Sequence, residues 1–213
     1  GDTIAHEFVM RMIAPGSYKP AMRRLQDLEA DLIVTTHWGS SFYVEKSKGE
    51  KPYLMMYCPD LYSNGMFNMD CNDFLISTKE GLAQAEKQRM YAGGNCSLVT
   101  YPIREEAFAL EGKRSEIRKS LGIPEDRFVV VLSDGGYGMA KLEKTVRALV
   151  RYEREMTIIA VCGKNEAGAK RLRELKCADG VDLRVFGFTD KMLEFLCAAD
   201  LYAGKSGANS MVE

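Results

Sequence analysis

The chain has 213 residues, enough to bury one large core or two small ones. Its 29 Lys and Arg nearly cancel its 30 Asp and Glu, leaving a formal net charge of -1, so no global field favours nucleic acid or an anionic membrane. The six cysteines (Cys58, Cys71, Cys96, Cys162, Cys177, Cys197) form no C-x-x-C pair and the only histidines are His6 and His37, which argues against a disulfide frame and assigns no metal site. With no apolar run near the roughly 18 residues that span a bilayer and no leader pattern at the start, the sequence reads as cytoplasmic, soluble or at most peripheral.

Residues 1–18 carry Phe8, Val9, Met10, Met12 and Ile13 around Arg11 before Pro15-Gly16 breaks the pattern. Lys19 to Glu29 places Met22, Leu25 and Leu28 at helical spacing. Asp31 to Thr36 reads as a short buried strand ending in His37-Trp38-Gly39. Further strands are expected over Pro52 to Cys58, ending in Pro59-Asp60, over Asp73 to Ser77, and over Ser97 to Tyr101, with a helical pattern from Gly81 to Met90. The Met-rich segment 54–56 fits a core better than a lipid groove.

From Arg104 to Gly112 the apolar periodicity is lost and charge takes over, which places a domain link there. Lys113 to Leu121 is a short helix stopped by Gly122-Ile123-Pro124. Phe128 to Val131 reads as a strand buried on both faces, followed by the turn Asp134-Gly135-Gly136-Tyr137-Gly138 and an amphipathic segment reaching about Arg154. A helix that starts after such a turn aims its free N–H groups and positive dipole end into it, the generic anion site at the C-terminal edge of a parallel sheet. D-G-G-Y-G matches neither the G-x-G-x-x-G fingerprint nor a P-loop, so the turn alone does not specify a ligand. Three more strands follow: Met156 to Val161, ending in Cys162-Gly163-Lys164-Asn165; Leu183 to Phe186, ending in Gly187-Phe188-Thr189-Asp190; and Leu201 to Ala203, ending in Gly204-Lys205-Ser206. Strands alternating with helices at this spacing predict an α/β protein with two parallel sheets, in domains 1–107 and 108–213. The closing Asn209 to Glu213 looks like the first turn of a helix. An isolated first turn is costly, so the sequence is expected to be a piece of a longer chain.

As a set, D-G-G-Y-G-M at 134–139, C-G-K-N at 162–165, G-F-T-D-K-M at 187–192, A-A-D at 198–200 and K-S-G-A-N-S-M-V-E at 205–213 resemble glycosyltransferase family 28. The likeness is to monogalactosyldiacylglycerol synthases and processive diacylglycerol glucosyltransferases, and then to the lipid-linked N-acetylglucosaminyl transferase of peptidoglycan synthesis. The first half resembles the later part of that family's acceptor domain, from a turn like Thr36-His37 to one like Pro59-Asp60. The resemblance implies two Rossmann-like domains of the GT-B type, both truncated here, with a lipid acceptor on the N-terminal side and a UDP-sugar donor on the C-terminal side.

By that resemblance Gly135, Gly136 and Tyr137 approach the donor diphosphate and sugar, and Phe188 and Thr189 hold the uracil with Met192 packed nearby. Ser206, Gly207, Ala208 and Asn209 line the diphosphate side, and the Glu213 carboxylate accepts both ribose hydroxyls. His37 and Asp60 are the candidates for the catalytic base. His37 beside Trp38 also suits a packed loop pair, and Asp60 after Pro59 a helix cap or turn residue. The reaction expected is transfer of a hexose from a UDP-sugar to a lipid such as diacylglycerol, at the inner face of the membrane and without a cofactor. The partners would be the UDP-sugar and the lipid, not nucleic acid, and no oligomeric state follows. A UDP-sugar 2-epimerase of the same fold and a non-catalytic donor-binding subunit are the alternatives, and residues 1–213 alone are expected to be inactive.

Overall fold

A computed structural model describes residues 20, 24, 27–37, 51–63, 67, 71–87, 94–133, 135, 140–205 and 207–212. The chain divides into two compact units, Gly1–Pro102 and Ile103–Glu213. The helix read from Lys19 to Glu29 falls largely outside the described residues, and Leu28 to Ala30 are irregular.

In the first unit, β1 (Leu32–Thr35), β2 (Tyr53–Cys58), β3 (Asp73–Ile76) and β4 (Asn95–Leu98) pair in parallel in the order β1-β2-β3-β4, with α1 (Lys79–Lys87) between β3 and β4. Alternation decides which face is inside. Leu54, Met56 and Cys58 on β2 join Phe74 and Ile76 on β3, and with Phe67 and Ala85 of α1 they form the core, while the residues between them are only half-buried. Met56 therefore lies in the core, as expected of the Met-rich segment. β1 is less buried than its apolar run predicts, with Leu32 50% and Val34 56% exposed. Among the described residues its strand partner is β2. β4 starts earlier than the sequence indicates, because Asn95 donates its side-chain amide to Asp73 at 3.1 Å and its N–H to the Asn72 carbonyl at 2.8 Å. Tyr101, expected in that strand, instead donates its hydroxyl to the Pro59 carbonyl at 3.3 Å.

The second unit opens with α2 (Glu105–Ala109), inside the segment read as a link, and α3 (Arg114–Ser120). Cys197 reaches back to the Leu110 carbonyl at 3.5 Å, so this segment packs on the second unit. Then come β5 (Phe128–Ser133), α4 (Ala140–Leu149), β6 (Met156–Val161), α5 (Glu166–Arg173), β7 (Val181–Phe186), α6 (Met192–Ala198), β8 (Leu201–Gly204) and α7 (Ala208–Val212). The sheet is parallel in the order β7-β6-β5-β8. Val130, Leu132, Ile158 and Ala160 pack on one face under α4 and α5, through Leu142, Val146, Ala169 and Leu172. Val129, Val131, Ile159 and Val161 pack on the other with Ile123 and Phe195 of α6. β5 and β6 are thus covered on both sides, which is why they read as unbroken apolar runs.

β8 is tied down by a polar knot. Asp200, just before it, accepts the Val129 N–H at 2.7 Å and the Arg118 guanidinium at 2.8 Å, and also pairs with Arg114. Arg118 is 2% exposed and spends its remaining donors on the carbonyls of Ala198, Glu125 and Arg127, so the buried charge is paired and satisfied. Burial opposes ionisation of Asp200, but the Val129 N–H and the two guanidinium groups outweigh it and hold the carboxyl below the ordinary aspartate range.

Candidate functional site

The chain steps from β5 to β6 to β7 on one side and then returns to lay β8 on the other flank of β5. Crevices for ligands open at the carboxyl ends of strands where the order reverses in this way. A cavity of about 220 Å³ lies there. Its lining comes from all four strand ends: Ser133 and Gly135 at the end of β5, Val161 and Gly163 at the end of β6, Phe188 and Thr189 after β7, and Tyr202, Lys205 and Gly207 around β8, with Met192 and Ser210 from the following helices.

Local geometry explains these positions. Gly135 has φ 79, a left-handed conformation that favours glycine, and its N–H turns back to the Ser133 hydroxyl at 3.4 Å. Gly163, in the turn just past β6, has φ 55, and the Asn165 side chain then accepts the Gly168 N–H at 2.9 Å to cap α5. The Asn of the C-G-K-N run is therefore occupied in starting a helix. Thr189 accepts the Lys191 N–H at 3.1 Å and turns the chain into α6. Phe188, in contrast, is 74% exposed beside the cavity, a large apolar face with little to cover it.

The cavity gathers five residues singled out from the sequence: Gly135, Phe188, Thr189, Met192 and Gly207. Ala208 and Asn209 stand next to it in the first turn of α7 without lining it. Gly136, Tyr137, Ser206 and Glu213 lie outside the described residues. His37 and Asp60 belong to the first unit, exposed after the carboxyl ends of the neighbouring strands β1 and β2. The His37 N–H meets the Thr35 hydroxyl at 3.3 Å, and that hydroxyl donates to the His37 carbonyl at 3.0 Å, so the turn is locally braced. Asp60 follows Pro59, which Tyr101 anchors.

Ser133, Gly163, Tyr202, Lys205 and Ser210 were not singled out as site residues from the sequence. Lys205 had a signal, since it opens the K-S-G-A-N run immediately after a strand. Tyr202 had none, because a strand residue becomes a cavity wall only once the strand order is known. The described lining carries one cation, Lys205, and no carboxylate. Such a site is suited to an anion that also presents a flat apolar part to Phe188 and Met192. Among the described residues no group of three or more His, Cys, Asp or Glu could hold a metal ion.

Two parallel α/β units, the second with its cavity at the point of reversal, define the fold as the two-Rossmann GT-B class. MurG of Acinetobacter baumannii has the same fold, with a TM-score of 0.54 at 15% identity over 91% of this chain and 52% of that one. No family model matches the chain. Among curated proteins, a probable chloroplastic monogalactosyldiacylglycerol synthase of Glycine max is 32% identical over 119 residues, 53% of this chain and 22% of that protein. A processive diacylglycerol beta-glucosyltransferase of Bacillus pumilus is 27% identical over 53% of this chain and 29% of its own length. A UDP-N-acetylglucosamine--N-acetylmuramyl-(pentapeptide) pyrophosphoryl-undecaprenol N-acetylglucosamine transferase of Elusimicrobium minutum is 28% identical over 153 residues, 70% of this chain and 40% of its own. The resemblance to glycosyltransferase family 28 is borne out by these relatives, of which the chain spans less than half the length.

Proposed function

We propose that the chain is part of a glycosyltransferase that moves a hexose from a UDP-sugar to a lipid acceptor such as diacylglycerol, with the donor nucleotide in the cavity of the second unit. The observation that carries this reading is the switch-point cavity, where one lysine, two glycine-bearing turns and an exposed Phe188 meet with no carboxylate among the described lining. In this reading Phe188 and Met192 cover the uracil and Thr189 borders it. Lys205 and the backbone at Gly135 and Gly207 face the diphosphate, together with Gly136, Tyr137, Ser206, Ala208 and Asn209. Glu213 takes the ribose hydroxyls.

In the reaction the acceptor hydroxyl oxygen bonds to the anomeric carbon, that carbon's bond to the diphosphate oxygen breaks, and UDP leaves with the electron pair. A base removes the hydroxyl proton, and charge on the leaving diphosphate must be balanced as it grows. Lys205 and backbone N–H groups supply that balance without a cofactor. His37 or Asp60, at the carboxyl edge of the acceptor-side sheet, is the proposed base. No helix among the described residues is long and apolar enough to cross a membrane. Peripheral attachment at the cytoplasmic face, with the lipid drawn from it, is the placement that goes with this reaction.

The test is product formation by the full-length protein from UDP-glucose or UDP-galactose with diacylglycerol in mixed micelles. Sugar-bearing lipid and stoichiometric UDP are expected. Asp60→Asn is expected to lower kcat and leave UDP affinity unchanged. Donor binding with no transfer to any lipid hydroxyl would reject the transferase reading.

A further inference from the structure

Tyr202 stands on the seam where the sheet reverses. It pairs with Val131 of β5, its side chain packs against the cluster of Val129, Val131, Ile159, Val161 and Phe195, and it also lines the cavity. Residues two apart on a strand share a face. Two residues on from Tyr202 is Gly204, where an added Cβ would overlap the Ser133 carbonyl oxygen and come within 2.6 Å of the Tyr202 hydroxyl. The missing side chain lets the phenol lie along β8 and carry its hydroxyl to the carboxyl edge.

There the hydroxyl is poorly used. It points to the Ser133 carbonyl at 3.5 Å, well beyond the roughly 2.5–3.0 Å of a good O–H···O bond. A half-buried donor so placed is available to a better acceptor entering the cavity. With Lys205 beside it and no carboxylate in the described lining, that acceptor is an anionic oxygen, to which a hydroxyl bonds about twice as strongly as to a neutral one.

We propose that Tyr202 is a specificity-determining residue of the donor site: its hydroxyl leaves the Ser133 carbonyl and donates to a phosphate oxygen of the nucleotide, and Gly204 is the positioning residue that leaves the phenol room. This rests on the donor-site reading above and adds to it a discriminator between phosphorylated and unphosphorylated ligands.

The experiment is calorimetric titration of the full-length protein and its Tyr202→Phe variant with uridine, UMP and UDP. Phenylalanine keeps the ring packing, so the melting temperature is expected to stay near that of the parent. Loss of a hydrogen bond to a charged group should weaken UMP and UDP by about 10-fold or more while uridine changes by less than about twofold. No loss for UMP and UDP, or an equal loss for all three ligands, would overturn the role given to Tyr202 while leaving the donor site in place. If the parent protein binds none of the three, the donor-site reading fails, and Tyr202 fails with it.

Discussion

The two units are built from the same repeat of strand and helix, yet only the second reverses its strand order among the described residues. In the first, β1 to β4 follow one another across the sheet, and alternate residues of β2 and β3 carry the core. In the second, β8 crosses back beside β5, helices cover both faces, and the strand ends part around a cavity. The difference shows that local alternation sets the fold class, while one long-range choice, the placement of β8, makes the crevice at the carboxyl edge. That choice is enforced by Asp200 and Arg118.

The sharpest way to break the contrast is to remove the knot. Arg118→Ala leaves the Asp200 carboxylate short of a partner and the carbonyls of Ala198, Glu125 and Arg127 without their donor. Breaking a buried charge pair costs about 3–5 kcal/mol, so the urea midpoint of the second unit should collapse while that of the first stays put. Phe74→Ala should do the reverse, by a similar amount of about 3–5 kcal/mol, because Phe74 is fully buried in the first core. Hydrogen exchange resolved by unit reads both. A single shared transition displaced equally by either variant would mean that the units do not melt separately.

Function should divide in the same way. Lys205→Ala removes the one cation of the described lining and should weaken UDP binding by about 10-fold or more, with no effect on stability beyond about 0.5 kcal/mol, since the side chain is exposed. Unchanged affinity would take Lys205 out of the site.

The smallest effect is the response to acid. Hydrogen bonds from Arg171 and Arg147 hold the Glu143 carboxyl down to about 2 and clamp α4 to α5. A depressed carboxyl contributes stability that is fully present above its unfolded pKa and is lost as pH falls through the folded value. Glu143→Gln should therefore lower the urea midpoint of the second unit slightly near pH 7 and make no difference near pH 2. Both arginines are exposed and Glu143 is half-buried, so the effect should shrink in high salt. An effect that grew as the pH fell would contradict this assignment.

What was legible in the sequence follows from packing. Met156 to Val161 was read to the residue because both of its faces are buried and the run is unbroken. The start of β4 at Asn95 was not, because Asn-Cys-Ser-Leu has little apolar signal and its register is set by Asp73 across the sheet. α2 was hidden in a charged segment of five residues, too short to show a period. At the site, the glycine turns and Phe188 stood out as special residues at strand ends. Tyr202 and Ser133 did not, since their meeting depends on β8 returning to β5, and Asn165 was quoted within a motif while its side chain caps a helix.

The most direct test follows the backbone amides of the labelled protein by NMR as UDP is added. Saturable shifts are predicted at Gly135, Gly163, Phe188, Thr189 and Gly207, the strand ends that meet at the cavity, with the core of the first sheet around Phe74 and Ile76 unmoved. Shifts confined to the first unit, or none at saturating UDP, would contradict the assignment of the nucleotide site to the point where the second sheet reverses.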